Sequence, residues 1–142
     1  MNKVYLLDTN IVSEFSKERP NQNVIALYEA RKKMCAISAV TWQELIYGIS
    51  KMPEGKRKDS IYAFTEDLKN NFEIIPYDEF SANICGQLLG TCAKCGKTLP
   101  YGDTQIAATA IANGMVLVTR NASDFAEASE RSFLKVEDWF SA

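Results

Sequence analysis

The pattern of apolar and polar residues opens with an uninterrupted apolar run at residues 4–7 that leads directly into Asp8. A run without polar alternation is typical of a strand covered on both faces, as in a parallel α/β sheet. A second such run, residues 115–118, leads through Thr119 towards Asp124. In parallel sheets the ligand site lies beyond the carboxyl ends of the strands. The pattern therefore predicts two buried strands that bring Asp8 and Asp124 to one edge of a sheet.

Helical periodicity occupies most of the chain between these two strands. Apolar residues at 42, 45, 46 and 49 predict an amphipathic helix with Glu44 off its apolar stripe, and Asp103 opens a nearly all-apolar helix. Further helices are predicted at residues 11–15, 24–33, 56–72 and 80–92, the last with Phe80, Ile84 and Leu88 on its buried face. Short strands are predicted at residues 35–38, 74–75 and 133–136. This alternation indicates a three-layer α/β/α fold with a central, mainly parallel sheet of about five strands.

Chain length, net charge and the length of the first apolar run limit the class of protein. A chain of 142 residues suits a single domain over residues 1–142 that buries its own core. The net charge of −2 gives no bulk basicity, so nucleic-acid binding would need a local basic surface. The early apolar run is too short for a signal peptide or a membrane span, so we expect a cytoplasmic protein without a membrane partner.

The chain contains no histidine. This excludes serine–histidine and cysteine–histidine triads, histidine general bases and mixed cysteine–histidine zinc sites. Any hydrolytic chemistry must therefore depend on carboxylates, most simply together with a hard metal ion.

The four cysteines are interpreted as free thiols. Cys92 and Cys95 have the spacing of a metal knuckle or a redox pair, but a structural zinc site usually needs two such pairs. A thioredoxin-like motif would follow a strand, whereas this pair closes a predicted helix. Cys85 lies seven residues before Cys92 on that helix, so both are expected in the core.

Four carboxylates are candidates for one site: Asp8, Glu44, Asp103 and Asp124. The aspartates at 8 and 124 follow the two buried strands, and the other two residues lie early on helices that leave the same sheet edge. Two carboxylates about 4 Å apart repel by roughly 4 kcal/mol at an effective dielectric constant of about 20. A fold that gathers them must raise their pKa values or bind cations. Oxygen ligands select Mg²⁺ or Mn²⁺, which activate water and stabilise charge on a phosphodiester.

A purely structural interpretation of these carboxylates remains open. Asp8, Asp103 and Asp124 each precede a predicted helical segment, where aspartate is a preferred N-cap. Glu44, taken alone, is a typical solvated helix residue. The functional interpretation depends on convergence in space, which sequence spacing only suggests.

Four polar residues beside these carboxylates are candidates for positioning a substrate. The side chains suited to orient a water molecule or a phosphate group are Thr9, Asn10, Thr119 and Asn121. They suit Asx and Ser/Thr turns equally well, so this assignment also depends on the fold.

Four segments of the chain resemble the motifs of PIN-domain nucleases. They are residues 7–14, 38–49, 103–110 and 118–125, which follow the family's order and span nearly the whole chain. Within that family the sequence resembles the VapC/FitB-like toxins of type II bacterial toxin–antitoxin systems. Within this group, residues 52–57 favour a resemblance to the FitB-like toxins.

The resemblance implies a metal-dependent endoribonuclease that uses Mg²⁺ or Mn²⁺ to cut RNA. In this interpretation the core acidic residues are Asp8, Glu44 and Asp103, the more variable fourth is Asp124, and the polar neighbours include Thr9 and Asn121. The resemblance further implies a homodimer and a cognate antitoxin whose C-terminal segment blocks the site. The Cys92/Cys95 pair departs from the family's pattern and leaves the acidic residues intact.

Two other functions remain as alternatives. A haloacid-dehalogenase-type phosphatase also places an aspartate after its first strand, but it needs a second aspartate two residues later, where this chain has Asn10. A PIN-like module that binds RNA or protein without cutting would usually lack one core carboxylate, and this chain has all of them.

Overall fold

The structure is a computed structural model that describes residues 2–141. Its strands are β1 (Tyr5–Leu7), β2 (Cys35–Ser38), β3 (Glu73–Ile75), β4 (Val116–Val118) and β5 (Lys135–Glu137). They form one sheet in the order β3-β2-β1-β4-β5, and every neighbouring pair is parallel. The predicted sheet is confirmed, with β1 at its centre.

The helices cover both faces of this sheet. They are α1 (Thr9–Glu14), α2 (Gln22–Arg31), α3 (Ala39–Ser50), α4 (Lys56–Asn71), α5 (Glu79–Lys94), α6 (Tyr101–Ala112) and α7 (Ala126–Glu130). Short 3₁₀ turns occupy Lys32–Met34 and Ala122–Phe125. One buried cluster joins the sheet to α6 and α7, and the other joins it to α1, α2 and α4. The predicted three-layer α/β/α fold is therefore confirmed.

Alternate residues of the central strands supply the two layers of the core. Leu6 and Leu117 are paired in register and lie in the cluster on the α6 side. Leu7 and Val118 form the next pair and lie in the opposite cluster. All four are fully buried. This burial on both faces explains why β1 and β4 have uninterrupted apolar sequences.

Two details of the helices differ from the prediction. Phe80 is 74% exposed, so its placement on the buried face of α5 was wrong. The buried stripe consists instead of Ser81, Cys85, Leu88 and Cys92, mostly small side chains on the helix that packs against α6. Three helices, α1, α2 and α6, begin two residues earlier than expected, at Thr9, Gln22 and Tyr101.

The remaining predictions fall close to the observed structure. Strand β5 is shifted towards the C-terminus, because the expected first residue, Phe133, is 94% exposed and lies outside it. Cys85 and Cys92 are buried as predicted, Cys95 is exposed, and none of the four thiols forms a disulfide. Between residues 2 and 141, no helix combines the length and the apolar character needed to cross a membrane.

Candidate active site

A cleft of about 380 Å³ opens at the carboxyl ends of β1 and β4. Because β1 is the central strand, residues that follow it and its neighbours meet at this edge of the sheet. The lining residues are Asp8, Thr9, Asn10, Ser13, Lys17, Glu44, Asp103, Arg120, Asn121 and Phe125.

Asp8 forms the floor of the cleft directly after β1. It is the N-cap of α1, and its Oδ1 accepts a hydrogen bond from the backbone N–H of Thr9 at 2.8 Å. Its Oδ2 accepts a second bond from the hydroxyl of Thr119, also at 2.8 Å. Burial raises the pKa of Asp8, these two bonds oppose the rise, and the negative charge of Glu44 adds to it. Asp8 is therefore a rigidly held carboxylate that is costly to ionise.

The buried Thr119 links Asp8 to two asparagines. Its hydroxyl oxygen accepts from Asn10 Nδ2 at 3.3 Å and from the backbone N–H of Asn121 at 3.2 Å. Asn10 in turn accepts from the backbone N–H of Arg120 at 3.1 Å through its Oδ1. This network fixes the start of α1 against the segment after β4.

Glu44 reaches the cleft from the second turn of α3. That helix begins directly after β2, where Ser38 caps it by accepting from the backbone N–H of Thr41 at 2.9 Å. The Thr9 hydroxyl donates to Glu44 Oε1. A Cβ atom at Gly102 would lie 3.2 Å from Glu44 Oε2, so a glycine there lets the start of α6 approach this carboxylate closely.

Asp103 lies in the first turn of α6 and is half-buried. Burial raises its pKa, and the negative charges of Asp8 and Asp124 raise it further. Asp124 lies in the 3₁₀ turn after β4 and is exposed. It does not line the cleft, but its charge acts on Asp103.

The N-cap interpretation of the aspartates holds for Asp8 alone. Helix α6 has Pro100 at its N-cap position, so Asp103 is not a cap. The turn that contains Asp124 begins at Asn121 without a side-chain cap bond. Capping therefore does not explain the position of the two later aspartates.

The cleft combines oxygen donors with uncompensated negative charge. In the part of the chain that the structure describes, the salt bridges leave Asp8, Glu44, Asp103 and Asp124 without a cationic partner. Their donor set and mutual repulsion suit a hard divalent cation. As placed among residues 2–141, however, no three Cys, Asp or Glu side chains are close enough together to hold a metal ion.

Three of the four predicted positioning residues line the cleft: Thr9, Asn10 and Asn121. The fourth, Thr119, is hydrogen bonded to Asp8 and does not line the cleft. Sequence reasoning missed the two cations of the cleft, Lys17 and Arg120. Arg120 lies two residues after the end of β4, so its position close behind a buried strand was an available signal. Lys17 carries no comparable signal, because it reaches the cleft only through the turn after α1.

The raised pKa of Asp8 predicts a specific pH dependence of stability. A carboxyl whose pKa is higher in the folded state gives stability that is fully present below its unfolded value, 3.8, and is lost as the pH rises through the folded value. The wild type should therefore lose stability relative to Asp8→Asn as the pH rises from 3.5 to 7. Urea unfolding across that range measures the difference, and Asp103→Asn should show the same sign. A relative gain for the wild type would contradict the unfavourable burial of the Asp8 charge and the added repulsion from Glu44.

The fold and this cleft together define a class of protein. The model of the PIN domain family matches residues 5–131. The chain belongs to the PIN-domain family.

Particular relatives narrow the comparison within the family. Ribonuclease VapC2 of Haemophilus influenzae is 34% identical over 136 residues, which cover 95% of this chain and 97% of that protein. The tRNA(fMet)-specific endonuclease VapC of Shigella flexneri is 32% identical over 135 residues, with the same coverage of 95% and 97%. The crystal structure of FitAcB from Neisseria gonorrhoeae superposes with a TM-score of 0.87 at 29% identity, covering 98% of this chain and 100% of that one.

Proposed function

We propose that this protein is a metal-dependent endoribonuclease that acts as the toxin of a toxin–antitoxin pair and hydrolyses RNA phosphodiester bonds. The observation that carries the proposal is the convergence of Asp8, Glu44 and Asp103, from three separate segments, on one cleft. The relatives' names, a ribonuclease VapC2 and a tRNA-specific endonuclease VapC, support RNA as the substrate.

The proposed cofactor is Mg²⁺ or Mn²⁺. Asp8, Glu44 and Asp103 would hold it, with Asp124 as a fourth and more exposed carboxylate. When bound, such an ion lowers the pKa of a water ligand and stabilises the charge that develops on phosphate during in-line attack. The oxygen donors and the uncompensated charge of the cleft favour it over zinc.

The chain's own residues prepare the site before any ligand arrives. Thr119 and the backbone of Thr9 hold the Asp8 carboxylate in one orientation. The Thr9 hydroxyl orients Glu44, and Asn121 lies on the wall where a water or phosphate oxygen would be positioned. Pre-set polar groups of this kind need no reorganisation when charge develops, which is the general source of electrostatic catalysis.

Chelation tests the proposal directly. We expect purified protein to cleave a pool of tRNA and synthetic single-stranded RNA in millimolar Mg²⁺ or Mn²⁺. EDTA should abolish cleavage and excess Mn²⁺ should restore it, as measured by gel electrophoresis of 5′-labelled RNA. Cleavage that continues unchanged in EDTA would refute the metal-dependent mechanism.

One observation favours a second candidate, a PIN-like module that binds RNA or protein without cutting it. In the described part of the chain no three acidic groups stand close enough to hold an ion. The same experiment separates the two functions, because a binding module would leave the labelled RNA uncut whichever ion is supplied.

We also propose a cognate antitoxin as the regulatory partner and a homodimer as the assembled state, in the cytoplasm. The likeness to FitAcB supports this partnership, as does the resemblance to the VapC/FitB-like toxins. An antitoxin segment that covers the cleft would suppress cleavage in the assay described above.

A further inference from the structure

The cleft has a basic wall as well as an acidic floor. Lys17 and Arg120 line it together with Asp8, Glu44 and Asp103. In the described structure neither cation forms a salt bridge with these carboxylates. Both positive charges are therefore held apart from the negative ones, although all five residues share one cleft.

Each cation is held by a contact of its own. The Lys17 ammonium pairs with Glu14 Oε1 at 2.8 Å. Glu14 is buried, and its Oε2 accepts from the backbone N–H of Asn21 at 2.7 Å. The pKa of Glu14 is lowered mainly by its bond with Lys17, and the nearby charge of Arg120 contributes to the same shift. Lys17 is thus already paired with a buried carboxylate.

Arg120 differs because its guanidinium remains available. Its central carbon lies 4.7 Å from the centroid of the Phe140 ring. Its backbone N–H donates to Asn10 Oδ1. Over residues 2–141 the guanidinium itself forms no hydrogen bond or ion pair. A cation–π contact does not provide the oxygen acceptors that a guanidinium can bind, so the Phe140 ring positions Arg120 while its N–H donors remain available for a ligand.

The position of the Phe140 backbone is fixed by two hydrogen bonds and by a buried neighbour. Its backbone N–H donates to Asp138 Oδ1 at 2.8 Å, and its carbonyl accepts from Asn23 Nδ2 at 3.2 Å. The preceding Trp139 is 1% exposed and anchors the segment in the core. The backbone of Phe140 is therefore held between Asp138 and helix α2, which fixes the point from which its ring projects.

Resting on the function proposed above, we infer that Arg120 binds phosphate in the cleft, with its guanidinium donating to two non-bridging oxygens of an RNA phosphate. Phe140 is then a positioning residue that holds the guanidinium in place through their cation–π contact. An acidic floor repels a polyanionic substrate, so a cation at its edge must hold the phosphodiester near the carboxylates. A free planar fork matches two phosphate oxygens in a way that a lysine ammonium does not.

The test compares Arg120→Ala and Arg120→Lys with a matched surface control, Arg131→Ala, whose side chain pairs with Glu127 at 3.1 Å outside the cleft. We expect Arg120→Ala to lower kcat/KM for RNA cleavage by about 100-fold, in the range found when one preorganised charge-stabilising donor is removed. Arg120→Lys should recover only part of this, since it keeps the charge and loses the fork. Arg131→Ala should match the wild type.

A binding measurement separates phosphate contact from a structural role. In an Asp103→Asn background that prevents cleavage, affinity for single-stranded RNA is measured against salt concentration. Loss of one phosphate contact should make the slope of log K against log salt shallower by about 0.7. Phe140→Leu should weaken cleavage in the presence of Arg120 and have no further effect in Arg120→Ala, as expected for a residue that acts through another.

The outcomes distinguish this inference from the proposed function. If the wild type cleaves RNA and Arg120→Ala cleaves equally well with an unchanged salt slope, the assignment of Arg120 is wrong and the nuclease stands. If the wild type does not cleave RNA but Arg120→Ala makes the slope of log K against log salt shallower, the phosphate contact of Arg120 is supported and the proposed nuclease function is wrong. If Arg120→Lys fully replaces arginine in both assays, a bidentate grip is excluded.

Discussion

Replacing Asp8 or Asp103 by asparagine should reduce metal-dependent RNA cleavage by about 10³-fold or more, the upper part of the range for losing a preorganised electrostatic group. Each substitution removes a negative oxygen donor from the cleft and leaves the side-chain volume nearly unchanged. Initial rates of cleavage at saturating Mn²⁺ measure the effect, and the folded state is checked by circular dichroism.

The matched control is Asp67→Asn, which makes the same chemical change at an exposed position on α4. It should retain wild-type activity. Activity that survives in both Asp8→Asn and Asp103→Asn would show that the cleft carboxylates are not the catalytic groups. Loss of activity in Asp67→Asn would show that the assay reports something other than the cleft.

Truncating Leu117 to alanine should lower the free energy of unfolding by about 2–5 kcal/mol, the range for deleting a large buried aliphatic side chain. Leu117 is fully buried in β4, next to the central strand, and contributes to the cluster that joins the sheet to α6. The surrounding main chain belongs to a paired strand on both sides, so it cannot collapse readily into the space left behind. Urea unfolding followed by fluorescence or circular dichroism measures the loss.

A suitable control lies on the neighbouring edge strand. Lys135 lies in β5, where it is exposed and is the register partner of Val116 of β4. Lys135→Ala should change stability by no more than about 0.5 kcal/mol, as is usual for surface substitutions. An equally small loss for Leu117→Ala would contradict the burial described for β4.

The fold was largely predictable because its strongest signals are local. The apolar runs that become β1 and β4 contain no polar alternation, and the structure buries them on both faces. Once those strands are parallel, the residues that follow them must emerge at one edge, which is why Asp8 and the segment after Thr119 lie together. The helix that carries Glu44 was equally clear from its periodicity.

The errors occurred where tertiary contacts override the local pattern. Phe80 falls on a helical face with Ile84 and Leu88, but the residues of α5 that the structure buries are mostly small, such as Ser81 and Cys85. Sequence patterns indicate where apolar residues recur, not which neighbouring helix comes nearest. The same limit applies to the cleft, since nothing in the local sequence around Lys17 predicts that it faces the carboxylates.

The hydrogen bonds around Asp8 restrict how that carboxylate can meet an incoming ligand. Oδ2 accepts from Thr119 at 2.8 Å and from Asn10 Nδ2 at 3.4 Å, which engages both of its lone pairs. Oδ1 accepts from the backbone of Thr9, so within the described structure one lone pair of the Asp8 carboxylate, on Oδ1, is left without a donor. A ligand or a proton would therefore bind first at Oδ1, and binding through both oxygens would require Oδ2 to lose the hydrogen bond of Thr119 or of Asn10.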